Sequence, residues 1–261
     1  MQLKSIQLVY FSATDKTKII AQQVAKGIGL PVEEWDATAQ RAHTPFQPRE
    51  DTLTILAAPV FVGRIPAPFL QRMQQLEGKD PAVLLVTYGA RATEGALNEL
   101  YNTACKRGYR PIAAGEFVAQ HSMATSIAEH RPNQEDLQQA EGFGKQIVNL
   151  VQSLNVQDQL SLLLPSAPIE EHEKVVFAPS AGDKCVECGR CADRCPVGAI
   201  PAEHPNQTDK NICISCMRCI FVCPVQARKI GMLQKQMLTR KLTKLCDENK
   251  PNQTWLAQPI L

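Results

Sequence analysis

Two stretches of this chain repeat one spacing of cysteine. The first reads Cys185-x-x-Cys188-x-x-Cys191-x-x-x-Cys195-Pro196, the second Cys213-x-x-Cys216-x-x-Cys219-x-x-x-Cys223-Pro224. A single Cys-x-x-Cys serves equally as half of a zinc site or as a redox dithiol. Zinc, however, closes with four ligands in two pairs, and two matched four-cysteine runs, each followed by proline, fit that pattern poorly. The other two of the 10 cysteines, Cys105 and Cys246, have no motif around them and read as buried or idle thiols.

The repeated run resembles that of the two-cluster bacterial ferredoxins, in which three close thiolates hold one [4Fe-4S] cube and the fourth crosses to the other. The resemblance implies two such clusters. One would use Cys185, Cys188, Cys191 and Cys223, the other Cys213, Cys216, Cys219 and Cys195. Val197, Ile200, Ile212 and Ile214 supply an apolar shell in the first half, and Val222, Val225 and Ile230 repeat it in the second. Gly189 lets the backbone fold closely beside Cys188 and Cys191.

At 261 residues the chain has room for two unequal domains. Formal charge is only +2, which argues against general nucleic-acid binding, but it is unevenly placed. Residues 1–152 hold 15 basic and 15 acidic side chains, whereas 171–261 hold 13 basic and 9 acidic. The start, Met1 to Ile6, shows no basic region leading into an apolar core, and no apolar run approaches the roughly 20 residues that span a bilayer. Thiolate-held iron also suits a reducing compartment, so the expected location is cytoplasmic.

The first half alternates apolar runs with helical periodicity. Ile6 to Tyr10 reads as a strand, Phe11 to Thr17 as a hydroxyl-rich loop, and Ile19, Ile20, Val24 and Ile28 as one helix face. Val32 to Trp35 reads as an edge strand. Further strands are expected at Leu53–Ala58, Ala82–Thr87 and Pro111–Val118, with helices near 67–76, 95–107 and 133–154. Such alternation implies a doubly wound parallel sheet covered on both faces. Its ligand site lies beyond the carboxyl ends of the strands, where the loops after Tyr10, Ala58 and Thr87 converge.

The loop Ser12 to Thr17 resembles the phosphate loop of flavodoxins, Ser/Thr-x-Thr-Gly-x-Thr, with Asp15 where that family prefers glycine. Hydroxyls and free N–H groups at a helix N-terminus suit a phosphate, but a carboxylate there has to point away or be offset by Lys16. Together with Pro59-Val60-Phe61-Val62-Gly63-Arg64-Ile65-Pro66, Thr87-Tyr88-Gly89-Ala90-Arg91 and the stretch Gly115 to Ser122, the chain up to about Gly231 resembles the bacterial flavodoxin and ferredoxin fusion proteins. That resemblance implies a flavodoxin-like domain followed by a small α+β two-cluster ferredoxin domain. It also implies FMN. The phosphate would sit on Ser12, Thr14, Lys16 and Thr17, and the ring between Pro59, Val60, Phe61, Val62, Gly63, Arg64 and Tyr88, Gly89, Ala90, Arg91. Relatives often carry Asn at the position of Ala90. Arg64 and Arg91 stand where flavodoxins place acids, and are expected to raise the flavin potential.

The resulting division is 1–154 for the flavin domain, 155–182 for a linker, 183–231 for the cluster domain and 232–261 for a basic helix and tail. In the last of these Leu238, Leu242 and Leu245 recur at helical spacing among Lys235, Arg240, Lys241 and Lys244. Such a helix folds back on its own protein or docks a partner or an anionic membrane surface. Neither G-x-G-x-x-G nor a Walker loop is present. Three readings stay open: an electron carrier between the clusters, FMN and a redox partner protein; a flavin-dependent reductase of a small organic substrate; and, through Asp15, an amino-terminal domain that has lost its flavin and scaffolds the clusters. A reductase should hold a cavity of some hundreds of Å³ lined by a few polar groups. A basic rim from Lys184, Arg190, Arg194, Lys210, Arg218, Arg228 and Lys229 points to an acidic partner.

Overall fold

The computed structural model describes residues 3–39, 51–153, 160–171 and 176–259. The first two residues of the start, Leu154 at the end of the expected fourth helix, and positions 155–159 and 172–175 of the expected linker lie outside the described residues.

Five segments form parallel strands: β1 (Ser5–Tyr10), β2 (Val32–Asp36), β3 (Thr52–Pro59), β4 (Pro81–Tyr88) and β5 (Arg110–Val118), all apolar runs except the mostly exposed edge strand β2. All eight residues of β4 are buried, as a central strand covered on both faces requires. Between them run α1 (Lys16–Ile28), α2 (Ala67–Met73) and α3 (Ala96–Lys106), and α4 (Gln134–Ser153) follows β5. Ile20, Val24 and Ile28 of α1 face the core. Helices α1 and α4 touch backbone to backbone: a Cβ on Gly27 would lie 2.0 Å from the Glu141 carbonyl oxygen, and one on Gly144 2.2 Å from that of Val24.

Beyond α4 come β6 (Leu160–Ser161), β7 (Ser180–Ala181), α5 (Arg190–Asp193), α6 (Arg218–Phe221), β8 (Arg228–Lys229), α7 (Met232–Thr243), β9 (Gln253–Leu256) and β10 (Gln258–Pro259). The main sheet has the order β2-β1-β3-β4-β5-β9. Its first five strands follow the 2-1-3-4-5 order of flavodoxin-like folds, which places the switch point between β1 and β3. β9 adds antiparallel to β5, with Ala113 opposite Leu256 and Glu116 opposite Gln253. The sequence reading has only a helix and tail there. β7 pairs with β8, and β6 with β10. Among the described residues no helix is long and apolar enough to cross a membrane.

Candidate cofactor sites

A half-open cleft of about 390 Å³, counted to its solvent mouth, lies at the carboxyl ends of the strands. Ala13, Thr14, Lys16 and Thr17 line it from the loop after β1, Pro59, Val60 and Phe61 from the end of β3, and Thr87, Tyr88 and Gly89 from β4. Ala119, Gln120 and Ser122 follow β5, and Cys216 closes the wall from the second cysteine run.

The loop after β1 is shaped as an anion cradle. Asp15 occupies the left-handed region, φ 60°, a conformation glycine adopts without cost, which is the physical reason for glycine in similar loops. The Ser12 hydroxyl accepts from the N–H of Lys18 (3.1 Å), and the Asp15 carbonyl from that of Ile19 (3.0 Å). Those of Lys16 and Thr17, at the start of the helix with its dipole behind them, have no partner among the described residues, and both residues line the cleft. The Thr17 hydroxyl is shared with that of Thr87 at 2.7 Å, tying this loop to β4.

Asp15 itself is met from across the molecule. Arg218, between Cys216 and Cys219, donates through Nη1 to Asp15 Oδ1 (3.0 Å), to the Ala13 carbonyl (3.1 Å) and to that of Ser12 (3.3 Å). A second arginine, Arg72, donates to the carbonyls of Ala37 and Pro196, both at 2.7 Å, and so joins α2 to the first cysteine run. The third loop is held by the C-terminal segment: Cys246 Sγ donates to the Gly89 carbonyl (3.4 Å), Asp247 N–H to that of Ala90 (2.9 Å) and Lys250 Nζ to that of Arg91.

Of the residues expected at a flavin, Thr14, Lys16, Thr17, Pro59, Val60, Phe61, Tyr88 and Gly89 come together at the cleft. Ser12, Val62, Gly63, Arg64, Ala90 and Arg91 lie outside its lining. Ser12 is buried beneath the loop as a cap. Arg64 is engaged by Glu99, with Nη2 to Oε1 at 2.5 Å and Nε to Oε2 at 3.0 Å, and Arg91 by Glu94 at 2.5 Å. Both guanidinium charges are therefore met by carboxylates, and neither stands as a free cation at the cleft, which removes the physical basis for the expected rise in potential. Ala90 adopts φ 63°, a conformation that asparagine tolerates better than alanine.

A second cavity is lined by Cys195, Cys213, Cys216 and Cys219 together with Ala199, Ile200 and Ile214. This is the crossed set: the fourth cysteine of the first run with the first three of the second. Cys191, Cys195, Cys213 and Cys219 belong to one buried apolar cluster with Ala199 and Ile200. Burial pushes the Cys219 thiol up to about 11, against the pull of Arg228, and raises Cys216 as well. Thiolates in such a place need a bound cationic metal centre. In the other set Cys191 is buried, Cys185 and Cys223 are half-buried and Cys188 is exposed.

The two runs are folded alike at an offset of 28 residues, as from Cys185 to Cys213. Helices α5 and α6 are offset so, and so are the left-handed residues: Glu187 with Ser215, Gly189 with Met217, Gly198 with Gln226. Backbone N–H groups point at the equivalent sulfurs, Ala199 to Cys195 Sγ (3.3 Å) and Ala227 to Cys223 Sγ (3.2 Å). Arg228, 3 % exposed, reaches the Pro179 carbonyl at 2.7 Å and Cys191 Sγ at 3.5 Å, while its buried Nε has no acceptor among the described residues. A buried cation with an idle donor beside thiols calls for negative charge, which a thiolate-bound cluster carries. Among the described residues no three Cys, His, Asp or Glu side chains converge to hold a single ion; the thiols surround a space instead.

The 4Fe-4S binding domain model matches residues 182–200 and 207–229. No curated protein matches the chain. Among solved structures the chain is similar to a flavodoxin from the domain Archaea, at 16 % identity and TM-score 0.40 over 57 % of this chain and 99 % of that one. A WrbA-like flavodoxin from Agrobacterium tumefaciens gives 16 % and 0.36 over 57 % and 98 %. Rubredoxin oxygen:oxidoreductase from Desulfovibrio gigas gives 13 % and 0.40 over 58 % and 37 %. The strand order and the matched cysteine runs together make this a flavodoxin-like α/β fold carrying a 4Fe-4S ferredoxin-type region.

Proposed function

We propose that the chain is a cytoplasmic electron-transfer protein of the bacterial flavodoxin and ferredoxin fusion type, holding FMN in the open cleft and two [4Fe-4S] clusters in the crossed cysteine sets. The observation that carries this reading is Cys216, which lines both the cleft and the thiol cavity, so that the two sites meet at one residue. Clusters exchange single electrons and a flavin one or two, which is the chemistry the bound groups would supply. The chain's own part is to bind and orient. The N–H groups of Lys16 and Thr17, with the Thr14 hydroxyl, receive the phosphate; Pro59 to Phe61 and Tyr88 to Gly89 wall the ring; Ala199, Ile200 and Ile214 keep water from the inner thiols. Anaerobically purified protein should contain about eight iron and eight acid-labile sulfide per chain, with stoichiometric FMN released on denaturation. Half that iron, stoichiometric zinc, FAD, or no flavin after reconstitution would overturn the assignment.

One observation favours a flavin-dependent reductase as the second reading. A further cleft of about 1020 Å³, counted the same way, is lined by Tyr88, which it shares with the first, and by Glu94, Asn98, Glu116 and Lys250. A small organic compound that displaces a fluorescent probe from this cleft and is reduced in turnover would favour that reading.

A further inference from the structure

The structure assigns to Arg218 the role of completing the phosphate loop of the other domain, as a positioning residue that makes the cleft fit for an anion. The inference deepens the reading of the cleft as an FMN site and rests on it.

Two observations meet here. Asp15, at the mouth of α1, puts a carboxylate where the helix N-terminus would otherwise attract a phosphate. Its side chain makes no cap to its own helix. Its ion-pair partner is Arg218, whose side chain is 11 % exposed while that of Asp15 is 43 % exposed. The same Nη1 also holds the carbonyls of Ser12 and Ala13. In a trans peptide C=O and N–H point opposite ways. Fixing those two oxygens on Arg218 therefore turns the N–H groups of Ala13 and Thr14 away from it, and both residues line the cleft. One guanidinium thus neutralises the repelling charge and sets the direction of two donors.

What places Arg218 is the second cysteine run. Met217 before it is in the left-handed region at φ 63° and buried, and Cys216 and Cys219 on either side line the thiol cavity. The guanidinium also lies 5.8 Å from the Phe221 ring, which restricts it further. The phosphate loop is accordingly finished by a residue 203 positions away in the sequence.

The test is a titration of flavin-free, cluster-loaded protein with FMN and with riboflavin, which lacks the phosphate, read by quenching of flavin fluorescence, with iron and sulfide measured on every variant. Arg218→Gln should weaken FMN at least about tenfold and change riboflavin little, whereas Arg218→Lys keeps much of the affinity. Asp15→Asn alone, which replaces no residue of the cysteine runs, should tighten FMN, and combined with Arg218→Gln it should restore most of what the arginine variant lost. FMN binding unaltered in Arg218→Gln, or FMN and riboflavin weakened equally, would overturn the inference while leaving the cleft a flavin site. Wild-type protein that binds neither flavin would instead overturn the reading of the cleft itself.

Discussion

His121 shows how a single residue can be fixed by its surroundings. Its Nδ1 accepts from the N–H groups of Met123 (3.2 Å) and Ala124 (3.1 Å), and its ring packs so closely on Gly89 that a Cβ there would meet Cδ2 at 2.5 Å. Burial first, and the Arg91 charge second, hold its pKa down to about 4 from 6.5. The folded state thus refuses a proton that the unfolded chain takes up. Stability from this group is complete above pH 6.5 and is lost as pH falls toward 4, by about 2 kcal/mol between pH 7 and pH 5. An NMR titration of the His121 Hε1 resonance should find its midpoint near 4; a midpoint near 6.5 would mean that the ring is solvated. At this scale the sequence was partly readable. Asp15 stood out as an odd residue in a phosphate loop, but its counter-charge, Arg218, could not be found, because no local pattern links residues that far apart. Gly189 and Gly198 announce left-handed turns. Met217 and Gln226, folded the same way in the second run, do not: Met217 is held so by burial, and exposed Gln226 by a turn in which its N–H donates to the Cys223 carbonyl.

At the scale of elements, β1, β3, β4 and β5 were legible as apolar runs, and the helices between them by their periodicity. Strand β9 was not. Gln253-Thr254-Trp255-Leu256 has no alternation, and it is a strand only because β5 offers an edge. Asn252 fixes it there: Oδ1 accepts from the Val118 N–H (2.9 Å), and Nδ2 donates to Asp136 Oδ1 and Gln139 Oε1, both at 2.7 Å. Asp136 is in turn held by Arg131 through two 2.5 Å bonds. Replacing Asn252 by Ala would leave the Val118 N–H without a partner and remove one of the two bonds to Asp136 Oδ1, the other coming from Arg131, a cost of about 1–3 kcal/mol. Hydrogen exchange should then speed up at Trp255 and Leu256 while Leu84 and Leu56 stay protected. Uniform acceleration across the sheet would show that β9 does not open on its own.

For the whole molecule, the charge map departs from the sequence reading. Arg218 and Arg228, two of the seven cations expected on a basic rim, are buried. The five left exposed, Lys184, Arg190, Arg194, Lys210 and Lys229, sit among exposed Asp183, Glu187, Asp193, Glu203 and Asp209. A second set of exposed cations lies on α7 and its C-cap, where Lys235, Arg240, Lys241 and Lys244 stand beside exposed Met232, Leu233 and Met237 with no acidic residue inside the helix, while Leu242 packs inward near Tyr88 and Val118. Electron transfer with an acidic partner protein should therefore slow at low salt when these four are changed to glutamine, and hardly at all when Lys184, Arg190 and Lys210 are. The reverse ranking in stopped-flow rates would return the docking site to the cysteine region. The pairing of β6 with β10 bears on how such a chain can be taken apart. Leu160 faces Pro259 and Ser161 faces Gln258 in a small sheet of their own, so the two ends of the segment between them lie side by side. Everything between is topologically a cassette with two splice points at its base. Cutting the gene once, after Ser161, would leave the outer rim of β5 bare and prone to pair with another molecule, whereas grafting the cassette by both ends onto a related sheet would carry its own edge protection with it.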